Sequence, residues 1–91
     1  MRDLSTVRMS IRGRPIATLS ELQTYAYEVP EGRTPSAVLT RFTAGEEVDP
    51  AELYRALEGD DRAAASDSDA ALEVLETLKL RLRAAFPDEV G

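Results

Sequence analysis

The side chains able to recognise or transform a ligand fall into two groups, arginines near the start of the chain and carboxylates further on. Arg2, Arg8, Arg12 and Arg14 come first, with Ser10 between two of them. Permanently charged guanidinium groups attract anions and offer them only donors. Glu46, Glu47 and Asp49 form one acidic cluster, and Asp60, Asp61, Asp67 and Asp69 another. Paired carboxylates can hold calcium or magnesium. Neither cluster has the ligand-loop spacing, with its central glycine and terminal glutamate, so both read as helix ends and solvated linker. No metal and no cofactor is expected. Histidine and cysteine are absent, which removes the usual general base, the usual zinc ligand and every thiolate site. An enzyme would have to work with carboxylates, arginines and hydroxyls alone. A non-enzymatic protein is expected, with no catalytic residue.

These side chains must be positioned by a small scaffold. Ninety-one residues suffice for one domain with a thin core, and self-association is a common remedy for thin cores. The net charge of −6 is unevenly spread. Residues 1–41 carry six arginines against four acids, a net of +2, whereas residues 42–91 carry five bases against thirteen acids, a net of −8. Such a division suggests two halves that face different partners. Polyanions are repelled by the second half, so any nucleic-acid contact belongs to the first. No apolar run is long enough to span a membrane and no secretion signal precedes the domain, so a cytoplasmic protein is expected.

The elements follow from periodicity. Residues 6–12 alternate, with Val7, Met9 and Ile11 on one face of a strand and Thr6, Arg8, Ser10 and Arg12 on the other. Gly13 and Pro15 are expected to end it. Thr18 and Glu21 have capping-box spacing before a first helix carrying Leu19, Leu22, Tyr25, Ala26 and Val29, which Pro30 stops. Thr34 is the expected cap of a second helix, with Pro35 at its first position, Val38, Leu39 and Phe42 inward, and Gly45 closing it. Asp49, Pro50 and Glu52 open a third helix, a second capping box, which Gly59 closes. Residues 60–69 read as a solvated acidic linker. A fourth helix spans about 70–86, with Leu75, Leu78, Leu82 and Phe86 on its apolar side. The expectation is a mainly α fold, one N-terminal β-strand followed by four short helices, as a homodimer. It divides into a unit at 1–59, the linker at 60–69 and a helix at 70–91.

The segment Gly32-Arg33-Thr34-Pro35-Ser36-Ala37-Val38-Leu39-Thr40-Arg41-Phe42, preceded by the strand and first helix, resembles the ribbon-helix-helix DNA-binding proteins over residues 6–44. In that family two chains pair their strands into a ribbon that enters the major groove. The resemblance implies that Arg8, Ser10 and Arg12 read bases, since arginine can bond guanine twice and a two-stranded ribbon fits that groove. It also implies that Thr34 and Ser36 clamp a phosphate at a helix start. The other reading of the strand is pairing with an ordinary sheet neighbour. Arg12-Gly13-Arg14-Pro15 is also similar to the core of an AT-hook, in which arginines such as Arg14 lie in a narrow minor groove.

Two functions are therefore expected from different classes. One is a DNA-binding regulator or antitoxin, bound to duplex DNA through its first half and to a toxin through its acidic half. The other is a protein-interaction module, an assembly, scaffold or adaptor subunit of a phage or bacterial complex. In both, Leu75, Leu78, Leu82 and Phe86 are candidate contacts with a partner or a second copy.

Overall fold

The computed structural model describes residues 7–29 and 35–90. Its elements, in chain order, are β1 (Arg8–Ile11), β2 (Arg14–Thr18), α1 (Leu19–Glu28), α2 (Ala37–Thr43), α3 (Pro50–Glu58), α4 (Asp60–Ala64), α5 (Asp69–Ala85) and α6 (Pro87–Val90). The fold is mainly helical, with an N-terminal sheet, as the sequence implies.

The expected lone strand is half of an antiparallel hairpin. Gly13 ends it as expected, as half of the turn after Ile11, whereas Pro15 does not act as a stop but belongs to β2. Arg12 (φ 51°) and Gly13 (φ 80°) both take left-handed backbone, the pattern of the two-residue turn that matches strand twist. Pro15 lies opposite Ser10, and on an edge strand its missing N–H removes no ladder bond there. Ile16 is an extra residue on β2, where the register shifts between Met9 and Ser10. This bulge lets Ile16 and Ala17 both enter the core beside Ile11.

The starts of α1, α2, α3 and α5 follow side-chain capping. Thr18 and Glu21 form the expected reciprocal box, with Thr18 N–H donating to Glu21 Oε1 (2.8 Å) and Glu21 N–H to Thr18 Oγ1 (3.2 Å). The cap of α2 is Ser36, whose Oγ accepts from Leu39 N–H. Thr34, expected in that role, lies outside the described residues, as do Thr6 and Pro30. Gly45 (φ 87°) closes α2 as expected. Gly45 N–H reaches Phe42 O and Glu46 N–H reaches Arg41 O, which satisfies two carbonyls at the helix end. Asp49 caps α3 by accepting from Glu52 N–H. The Glu52 carboxylate is held by Arg41 Nη2 at 3.0 Å.

Two expectations about the second half are corrected. Residues 60–69 are not a solvated linker, because 60–64 form α4 and Asp61, Ala64 and Ala65 are buried. Small side chains let α4 pack against α3 and α5, and Asp61 is hydrogen-bonded where it is buried. Nor is the leucine stripe of α5 offered to a partner. Leu75, Leu78, Leu82 and Phe86 are only 2%, 0%, 0% and 8% exposed. The chain itself covers them, since α5 packs on α1, β2 and α3 and the hairpin supplies Ile11, Ile16 and Ala17 to the same core. Leu80, on the opposite side of α5, is 63% exposed.

Candidate binding face of the hairpin

Because Val7, Met9 and Ile11 turn inward, Arg8 and Ser10 must point outward, and both are exposed. Across the ladder Arg8 faces Thr18 and Ser10 faces Pro15, so these four residues share the outer face. Arg14 is also exposed. Among the described residues neither Arg8 nor Arg14 has an ion-pair partner. Among the described residues the sheet consists of β1 and β2, so no described strand lies beside the outer edge of β1.

Arg12 behaves differently. Its place in the turn, rather than in the strand, aims the guanidinium back at the body of the protein. Nη1 donates to both carboxylate oxygens of Glu89 (2.9 and 2.8 Å), and Nη2 lies 3.8 Å from Asp49. The guanidinium carbon also stands 5.6 Å from the centre of the Phe86 ring, within cation–π range. Arg12 thus fastens the hairpin tip to α6 and to the start of α3. The set Arg8, Ser10 and Arg12 is not brought together on one face, which corrects the role given to Arg12.

Arg81 of α5 joins the face from a distance in sequence that no local pattern reveals. Its Nη1 donates to Ile16 O (3.1 Å) and to Glu21 Oε1, so one side chain ties β2 to the start of α1. Burial by itself pushes the Glu21 carboxyl up. Bonds from Arg81 and from Thr18 more than offset this, and hold it below the usual carboxylate range. Arg8, Pro15, Ile16, Ala17, Thr18 and Arg81 line an open cleft of about 270 Å³.

Ser36, expected to clamp a phosphate, is already committed to an anion. Its N–H donates to Asp61 Oδ1 (2.8 Å) and its hydroxyl to Asp61 Oδ2 (2.7 Å). The Tyr25 hydroxyl donates to Asp61 O at 3.0 Å. Burial pushes the Asp61 carboxyl up, although the Ser36 and Tyr25 bonds pull the other way. Burial and the neighbouring Asp61 likewise raise the Tyr25 hydroxyl. The Ser36 hydroxyl gives its proton to Asp61 and takes one bond from Leu39 N–H. This arrangement caps a helix and cross-links α1, α2 and α4.

Among the described residues no cluster of acids could hold a metal ion, and no helix is long and apolar enough to cross a membrane. A second concavity, of about 340 Å³ and mostly apolar, lies between α1 and α2 beside Leu22, Tyr25 and Leu39. No protein-family model, no curated protein and no solved structure matches the chain.

Proposed function

We propose that this chain is a non-enzymatic protein-interaction module, an adaptor or assembly subunit, that holds an acidic partner protein against the outer face of its N-terminal hairpin. One observation carries this reading: among the described residues Arg8 is exposed and without an ion pair on β1, whose outer edge has no strand beside it, and Arg14, also without an ion pair, stands exposed at the hairpin turn. An open edge takes an extended segment through backbone hydrogen bonds, and flanking cations select segments of opposite charge. The acidic remainder of the molecule discourages like-charged partners from docking anywhere else.

The same face gives a second reading, duplex DNA in the manner of a ribbon that lies in the major groove. What favours it is the strand alternation, with Arg8 and Ser10 outward and Met9 and Ile11 inward. Two observations weigh against it. Arg12 is diverted to Glu89, and one edge of β1 is already taken by β2 of the same chain.

The test is affinity capture with the wild type and with a variant carrying Arg8→Glu and Arg14→Glu, quantified by mass spectrometry, beside a duplex DNA titration at low salt. An acidic protein retained by the wild type and lost by the variant is the expected result. Duplex binding that weakens steeply with added salt, and that the variant lacks, would replace this reading with the DNA one.

A further inference from the structure

The cleft between Arg8 and Arg81 has the composition of a receptor for one negative charge. Arg81 makes both of its bonds through Nη1, which leaves its remaining N–H groups without a partner among the described residues. Arg8 has no ion pair there either. Thr18 Oγ1 accepts from Glu21 N–H, so its own proton is available to donate outward. Two acceptors nearby are engaged: Ile16 O by Arg81, and Glu21 Oε1 by Arg81 and by Thr18 N–H. The side-chain groups left over on Arg8, Thr18 and Arg81 are therefore donors.

Charge balance narrows the class of ligand. Arg8 and Arg81 contribute two positive charges and Glu21 one negative, a remainder of +1. A singly charged carboxylate neutralises that remainder, whereas a phosphate dianion exceeds it and meets Glu21 as a like charge. Pro15, exposed at the cleft, offers an apolar surface to the methylene groups of an acidic side chain. Glu21 and Ile16 O also hold Arg81 in place, so less side-chain freedom is lost when a ligand arrives.

We infer that this cleft is a carboxylate-binding site in which Arg8 and Arg81 grip the side chain of a glutamate or aspartate, with the Thr18 hydroxyl as a third donor. The inference rests on the proposed function only for the source of that carboxylate, an acidic segment of the partner protein. Arg8 rides on the strand and Arg81 on α5, so ligand binding depends on the hairpin being docked. A partner strand laid along β1 would need one acidic residue reaching over the outer face to Arg8.

The experiment is an NMR titration of the full chain with N-acetylglutamate amide as probe, following the arginine side-chain Nε–H signals and the Thr18 amide. The expected result is saturable shifts at Arg8, Arg81 and Thr18. The Arg8→Gln variant should bind about fivefold more weakly, the size of an exposed ion pair, and Arg8→Glu should not bind. Arg8 is exposed and makes no ion pair, so both variants should keep the fold, which their unchanged core resonances would report. Absent or scattered shifts, or equal binding by Arg8→Glu, would overturn the site. Tighter binding of inorganic phosphate than of the probe would overturn the carboxylate assignment. If partner capture needs Arg8 while the probe leaves these signals unmoved, the cleft assignment falls and the adaptor reading survives. The reverse pattern removes the adaptor reading alone.

Discussion

Ser36 and Asp61, twenty-five residues apart, are joined twice: the serine gives its backbone N–H to one carboxylate oxygen and its hydroxyl to the other. This contact fixes the start of α2 against α4, and the Tyr25 hydroxyl adds α1 to the same point. A buried carboxylate is tolerable only when its oxygens are satisfied. Here each oxygen has a donor.

Replacing Asp61 with alanine strands the Ser36 N–H and hydroxyl and leaves a void. A loss of about 2–3 kcal/mol is expected, from unsatisfied buried donors. Asp61→Asn keeps the shape and removes the buried charge, so it should cost less. Urea unfolding at neutral pH measures both, and a larger loss for asparagine than for alanine would contradict the hydrogen-bond account.

The raised Asp61 carboxyl also sets a pH dependence. Because its folded pKa lies above the unfolded value, its contribution to stability is full below about pH 4. That contribution is lost as pH rises through the folded value. Glu21 works in the opposite sense: its folded pKa is depressed, so its contribution is present above the unfolded value and is lost as pH falls through the folded one. The two effects are separated by subtraction. Stability of Asp61→Asn relative to wild type should improve as pH is raised from acid towards neutrality, and that of Glu21→Gln should worsen over the same interval.

The α5 stripe offers a direct comparison of neighbours. Leu78 is fully buried and Leu80 largely exposed. Leu78→Ala should cost about 2–5 kcal/mol, as for other buried leucines, much of what a small domain has. Leu80→Ser should stay within about 0.5 kcal/mol. Thermal melts of the two variants check this, and a well-folded Leu78→Ala protein would reopen the stripe as a partner surface.

The hairpin turn tests backbone conformation apart from packing. A Cβ on Gly13 would meet nothing within 4 Å, so Gly13→Ala isolates the cost of a left-handed φ of 80°. About 1 kcal/mol is expected, read as a fall in Tm of about 4–8 °C. Arg12→Gly, next to it, relaxes the same strain but gives up the Glu89 bond. Its net effect should be smaller and should shrink further in high salt, where exposed ion pairs are screened.

Much of this architecture was legible because the signals are local. Thr18 and Glu21, Asp49 and Pro50, and Gly45 mark helix ends through bonds made within one turn. The alternation at Arg8–Ile11 gave the orientation of Arg8 and Ser10. What the residues concealed depends on partners far along the chain. Pro15 reads as a terminator because β2 holds a proline and a bulge, which break the period-two pattern. The stretch 60–69 looked solvated because Asp61 finds its donors on Ser36 and Tyr25. Arg81 carried no signal at all, since its partner Glu21 lies sixty residues away. Arg12 departs from the pattern for a related reason: a strand residue points outward, but a turn residue folds back.

The link between Arg12 and Glu89 spans seventy-seven positions, and β2 rests on α5, far later in the sequence. During synthesis, at about 5–20 residues per second, Ile11 and Ile16 emerge several seconds before the helices that shelter them. The nascent hairpin must wait with its greasy side uncovered until α5 and α6 leave the ribosome. A chain halted before residue 69 would therefore expose those isoleucines, and would be a ready client for chaperones and proteases.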